Sequence, residues 1–220
     1  YILTYDYDKW SFIDPKEAQK KLNLPRNPRD YTSIAVTTDD SNDEIVYASS
    51  MGDGVIQYKN GTPVQSYNEK NAFKETAGGY GSGYCYIDGL AFDKNGNLWM
   101  TSSEVNHAVL VLDKAGAWHR LDIEQLRGVY TINDILITST NDKWIYVPRN
   151  TPKLVMIPNS ESLDEVSSYE FTTLIDTDGK ELTPSNYTCV AEDKDGYIWV
   201  GTNRGAVYFT KPRISSAEDK

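Results

Sequence analysis

Residues 190–208, VAEDKDGYIWVGTNRGAVY, repeat the plan of residues 90–112, LAFDKNGNLWMTSSEVNHAVLVL. Each has a small apolar run, the turn Asp-Lys-Asp/Asn-Gly, an aliphatic residue followed by Trp, a Gly or Thr, and a second apolar alternation. Weaker copies occupy 34–58 and 132–157. A hairpin written several times constrains the fold more than composition does. One such unit cannot bury its apolar faces alone and must stack on its neighbours.

Aligned on the Trp, the units put Val46, Trp99, Trp144 and Trp199 in register, at spacings of 53, 45 and 55 residues. Those lengths suit a four-stranded propeller blade with variable loops. In the last unit 188–192 reads as the innermost strand and 193–196 as a tight turn. There Asp bonds its own backbone and Gly accepts positive φ. The second and third strands follow at 198–202 and 206–210, with apolar and polar residues alternating as half-buried strands require. Trp99 and Trp199 are expected to fill the space between adjacent blades, and small Thr101 and Gly201 to let the sheets approach. An outer strand is legible at 117–121, and 10–13 has the same look after 2–5.

The expected architecture is all-β, a partial β-propeller arc of about four to four and a half four-stranded blades. Residues 1–13 read as the outer half of a preceding blade, 31–69, 84–122 and 130–176 as blades, and 186–210 as a last, incomplete blade. A start inside a blade suggests a piece of a larger protein. Helix signals are few. Asp14-Pro15-Lys16-Glu17 supplies an N-cap, a first-turn proline and an acid, predicting a short helix to about Leu22. Residues 122–126 read as a single turn, 70–83 with four glycines as a flexible loop, 160–168 as a polar loop and 211–220 as a frayed tail.

Sixteen Tyr and five Trp among 220 residues suit strands. A net charge of −10 with no concentrated basic surface excludes nucleic acid as a partner. No apolar run approaches the roughly 18 residues needed to cross a membrane, so no direct insertion is expected. Cys85 and Cys189 fall on blades two and four and read as unbridged small core residues.

Chemistry is sparse. His107 and His119 have no His or Cys partner at zinc-ligand spacing, so no metal is expected. Asp93-Lys-Asn95-Gly96 and Asp193-Lys-Asp195-Gly196 resemble the start of a calcium loop, but Gly falls at the fourth place and no matching Glu follows. Gly201-Thr-Asn-Arg-Gly205 lacks the Lys and helix of a phosphate loop. Gly81-Ser82-Gly83 is not a nucleophile elbow. No catalytic residue and no cofactor is therefore assigned. Tyr80, Tyr84 and Tyr86 flank a loop where rings could stack on sugars or merely line a blade. Candidate ligand-binding residues are Tyr86, Asp88, Asn133, Asp134, Asn186 and Arg204, at inner-strand starts or on a rim turn.

The phrases CVAEDKDGYIWVGTNRGAVYF and LAFDKNGNLWMTSS resemble two-component regulator propeller repeats. Their motif runs apolar-x-x-Asp-x-x-Gly-x-apolar-Trp-apolar-Gly-Thr-x-x-Gly. Unit three keeps Trp144 but has Thr138 and Val147 where the motif has Asp and Thr, and unit one lacks the Trp. Such repeats build periplasmic sensor propellers of hybrid two-component systems in Bacteroidetes and PorZ-type propellers of the type IX secretion system. Residues 174–209 and 111–121 look closer to the PorZ-type group. The resemblance implies a non-catalytic binding module in the periplasm or at the cell surface, associated with the outer membrane. Its partners would be other propeller blades or domains of a parent protein, with a glycan or protein ligand. A glycan-sensing input domain is the alternative. A propeller lyase or glycan-processing enzyme is a third, although streptogramin lyase depends on a histidine that has no inner-strand counterpart here. Bare blade faces and strand edges imply self-association of the isolated arc.

Overall fold

The computed structural model describes residues 2–6, 8–73, 83–164 and 166–210. Tyr80, most of the glycine-rich loop and the expected tail lie outside them.

The chain opens with a hairpin, β1 (Ile2–Asp6) and β2 (Lys9–Ile13). Helix α1 (Pro15–Leu22) follows, with Asp14 as its N-cap and its side chain accepting from Lys16 N. Four blades come next. Blade 1 is β3 (Tyr31–Thr38), β4 (Glu44–Gly52), β5 (Gly54–Lys59) and β6 (Thr62–Tyr67). Blade 2 is β7 (Cys85–Phe92), β8 (Leu98–Ser102), β9 (Val109–Leu112) and β10 (Trp118–Leu121). Blade 3 is β11 (Ile135–Ile137), β12 (Lys143–Val147), β13 (Lys153–Ile157) and β14 (Tyr169–Phe171). A small hairpin, β15 (Leu174–Ile175) and β16 (Glu181–Leu182), leads to blade 4, which has β17 (Tyr187–Glu192), β18 (Ile198–Thr202) and β19 (Gly205–Phe209). Every blade is an antiparallel meander. Among the described residues blade 4 has no fourth strand.

A single local device makes these hairpins. Asp93 Oδ1 accepts the backbone N–H groups of Asn95 and Asn97, and Oδ2 accepts the Trp99 indole at 2.9 Å. Asp193 does the same with Asp195, Tyr197 and the Trp199 indole at 2.7 Å. The residue three after the Asp takes a positive φ, Gly96 at 83° and Gly196 at 80°. The motif is therefore a turn whose carboxylate reaches forward to clasp the Trp six residues on. With those oxygens committed to N–H donors, the calcium-loop likeness has no structural basis.

Trp99 and Trp144 are buried at the junctions. Blade 2 lays Trp99, Val109 and Val111 against Ile135, Ile145, Val147, Val155 and Ile157 of blade 3. Blade 3 lays Trp144, Tyr146, Leu154 and Met156 against Ile198, Val200 and Phe209 of blade 4. Lys143 is buried in the first of these junctions, its ammonium 4.4 Å from the centre of the Trp99 ring, and burial lowers its pKa. Blades also touch backbone to backbone. A Cβ on Gly89 would meet Ile135 N at 2.7 Å, so only Gly fits where blade 2 approaches blade 3.

Three expectations are corrected. Counting six residues from the turn Asp39 reaches Ile45, not Val46, and Ile45 is the buried counterpart of the Trp. A one-residue slip moves a side chain to the opposite face. Val46 indeed packs on the other side of blade 1, with Ala18 of α1 and Ile2. Trp199 does not fill a gap between blades. It is 41% exposed because no described segment covers that face of blade 4. Cys189, on the same face, is exposed rather than a core residue, whereas Cys85 is buried.

Candidate binding rim at the inner-strand entries

In a meander the first strand starts at the end where the second-to-third loop lies. The entries to β7, β11 and β17 therefore share a rim with the loops after β8, β12 and β18. All six candidate residues fall on this rim, and side chains tie its segments together.

At the junction of blades 2 and 3, Ser103 Oγ donates to Asp88 Oδ2 at 2.6 Å and accepts Ile132 N at 2.8 Å. Thr101 Oγ1 accepts Gly89 N and donates to Asn133 O, both at 2.9 Å. Asp88 is half-buried, and burial pushes its carboxyl up to about 7. Asp134 is also raised by burial, although its side chain has an exposed edge and Oδ1 accepts Ile135 N. At the next junction Asn133 Nδ2 donates to the Tyr146 hydroxyl at 2.9 Å, which donates to Thr188 O at 3.1 Å. A cleft of about 120 Å³ opens there between Asp134, Leu136, Tyr146, Cys189 and Val190.

The structure thus gathers Asp88, Asn133 and Asp134 around one junction. Asn186 lies on blade 4, where Asn203 Oδ1 accepts its N–H at 3.2 Å. Arg204 stands exposed on the adjacent turn, its N–H donating to Thr202 Oγ1. Tyr86 lies across the junction of blades 1 and 2, opposite Met51, with its ring edge-on to Tyr84 at 6.2 Å. One face of Tyr84 is already taken by the Arg26 guanidinium at 4.4 Å, which Asp53 and Gly52 O hold in place.

Two features escaped the sequence. Glu104 follows Ser103 on the rim, buried at a φ of 61° with Oε1 unpartnered. No local pattern marks it. His119 lines an outer cleft of about 670 Å³ between 118–122 and Leu163, Asp164, Val166 and Ser167, its Nε2 3.0 Å from Asp113 and Nδ1 3.7 Å from Asp164. A signal was present here, since His119 stands six residues past Asp113 as Trp99 stands past Asp93. Among the described residues no three His, Cys, Asp or Glu side chains gather as metal ligands, and no helix is long and apolar enough to cross a membrane.

Stacked antiparallel meanders whose inner strands enter at one rim define a β-propeller arc. The arc carries a repeat of the family described as Two component regulator propeller, matched at residues 181–204. PorZ of Porphyromonas gingivalis, described as a bacterial surface component of the type-IX secretion system, superposes with a TM-score of 0.77 at 19% identity over 94% of this chain. The extracellular domain of a putative hybrid two component system from B. thetaiotaomicron gives 0.54 at 16% identity over 83%. A putative 6-phosphogluconolactonase from Bacteroides uniformis gives 0.51 at 10% identity over 84% of this chain and 51% of its own. At these identities the likeness establishes the fold. The chain spans 28% of the PorZ chain and 22% of the sensor domain. No curated protein matches it.

Proposed function

We propose that this chain is a non-catalytic binding module of a cell-envelope protein of the PorZ type, exposed in the periplasm or at the surface and working through the inner-strand rim. The observation that carries this reading is the continuity of the rim. Asp88, Ser103, Ile132, Asn133, Tyr146 and Thr188 are linked by hydrogen bonds across three blades. Such a frame presents backbone and side-chain polar groups in fixed positions, as a preformed recognition surface requires. The hydrogen bonds of Asp88 and Asp134 run to structural donors, which suits a scaffold better than acid–base turnover. The likeness to extracellular and surface propellers supports the location. The blades of a parent protein would be its immediate partners.

The test is titration of a panel of soluble polysaccharides into the wild-type chain and into Tyr86→Ala, Asn186→Ala and Arg204→Ala. Weakened binding with stability held within about 1 kcal/mol supports the rim. Binding that survives all three substitutions overturns the residue assignment, and release of product overturns the non-catalytic reading. A second reading, a glycan-sensing input domain, draws on the likeness to the hybrid two component system. It requires binding of one defined glycan rather than of a protein.

A further inference from the structure

His119 stands on β10, the outer strand of blade 2, between two carboxylates that belong to different blades. Its Nε2 is 3.0 Å from Asp113 Oδ2, on the turn between β9 and β10. Its Nδ1 is 3.7 Å from Asp164 Oδ1, in the connection between β13 and β14 of blade 3. That connection reaches across to blade 2. Leu163 and Val166 pack against the core that the two blades share, and Ser168 Oγ donates to Gln125 Oε1 at 2.9 Å. Between these anchors it stands off β10, which leaves the cleft of about 670 Å³. The other charged groups lining the cleft have partners elsewhere. Arg120 donates to Ala72 O at 2.7 Å, and Asp122 is paired with Arg127.

A neutral imidazole carries one N–H and an imidazolium two. With Asp113 accepting from Nε2, a neutral His119 turns the Nδ1 lone pair towards the Asp164 carboxylate, and the two repel. The imidazolium donates to one carboxylate and attracts the other. We propose that His119 is a pH-sensitive tie between blades 2 and 3, holding Asp164 over the outer cleft when protonated and releasing it, so that the cleft opens, when neutral. Histidine is the side chain whose charge ordinarily changes between about pH 5 and 8. Across that range Asp113 stays ionised, because the His119 hydrogen bond and the Ala117 N–H hold its carboxyl below the usual range. The tie is therefore complete on the acid side of the His119 titration and is lost as pH rises through it. This switch lies on the outer strand and works independently of the inner-strand rim.

Peptide-resolved hydrogen exchange at about pH 5.5 and pH 8, on either side of the histidine titration, tests this once rates are corrected for the intrinsic pH dependence of exchange. Protection of 158–164 should fall about two- to fivefold from the lower pH to the higher, the range expected of a partly exposed ion pair. His119→Gln and Asp164→Asn should each abolish that difference. Asp164 is 89% exposed, so its variant keeps the test open should His119→Gln fail to fold. The other histidine, His107, is exposed on the loop between β8 and β9, and His107→Asn should leave the difference intact. Asp88 titrates in the same window but at the rim, so Asp88→Asn should leave it intact as well. Equal wild-type protection at both pH values overturns the proposal. So does a difference that survives Asp164→Asn, or one that disappears with His107→Asn or Asp88→Asn.

Discussion

Trp99 and Trp199 occupy the same place in the same hairpin, clasped by the same kind of turn Asp, yet one is 1% exposed and the other 41%. The difference teaches what each layer of the motif does. The Asp–Trp clasp and the positive-φ residue are local chemistry, and they form whether or not a neighbour is present. The energetic return on the indole comes from the sheet that lies over it. Blade 2 has that sheet in Ile135, Ile145 and Val155, and among the described residues blade 4 does not. A repeat motif therefore specifies the hairpin, and stacking supplies the stability.

The comparison breaks most sharply on truncation. Trp99→Ala should destabilise the chain by about 3–5 kcal/mol, as a buried ring leaves a cavity between two blades. Trp199→Ala removes the same hydrogen bond and a stacked ring but little buried area, and should cost about 1 kcal/mol or less. Urea unfolding of the two variants measures both. Equal losses would mean that the clasp, not the stacking, carries the energy.

The same contrast between closed junction and open end has a pH signature. At the closed junction, burial lifts the Asp88 carboxyl from the usual 3.8 to about 7. The folded chain therefore holds a proton that the unfolded chain has released. Stability from this group is full below about pH 4 and falls as pH rises towards 7, by no more than about 4 kcal/mol. Under the open face, the Trp199 indole and turn N–H groups hold Asp193 below its usual range. Its contribution is present above that range and lost as pH falls through it. Asp88→Asn should flatten the decline between pH 4 and 7 in urea midpoints measured against wild type. An unchanged slope would place Asp88 in contact with water.

Hairpins were legible because their instructions are local. Gly96 and Gly196 mark the positive φ, and Asp and Trp stand at fixed offsets from them. Blade 1 hid the same turn by substituting each part. Asn42 takes the positive φ at 62°, and Ile45 stands for the Trp. With no Trp in that unit to align on, the Trp register falls one residue late, at Val46, which faces α1. The rim was legible only as a set of strand entries. What organises it are bonds such as Thr101 to Asn133 and Ser103 to Ile132, between residues about thirty positions apart, and spacing within a unit carries no trace of them. Trp199 and Cys189 depart from expectation for a related reason, because a motif reports which face a side chain takes and not whether anything lies on it.

Blade 3 offers the smallest and most specific test. Its turn has Thr138 where blades 2 and 4 have Asp, and Asn141 takes the positive φ at 68°. The Thr hydroxyl still accepts Asp142 N at 3.0 Å, so the turn closes. It is too short to reach forward, and the buried Trp144 indole N–H is left without a partner. An unmade bond of this kind is a standing cost. Thr138→Asp should supply the missing acceptor and stabilise the chain by about 1 kcal/mol, even though Thr138 is itself buried. The gain should vanish in the Trp144→Phe background, where no indole N–H remains to be satisfied. A gain that persists there would come from the turn alone and would detach the Asp from the Trp. A loss in both backgrounds would mean that desolvating the new carboxylate outweighs the bond, and that blade 3 keeps Thr138 because its junction is closed more tightly than that of blade 2.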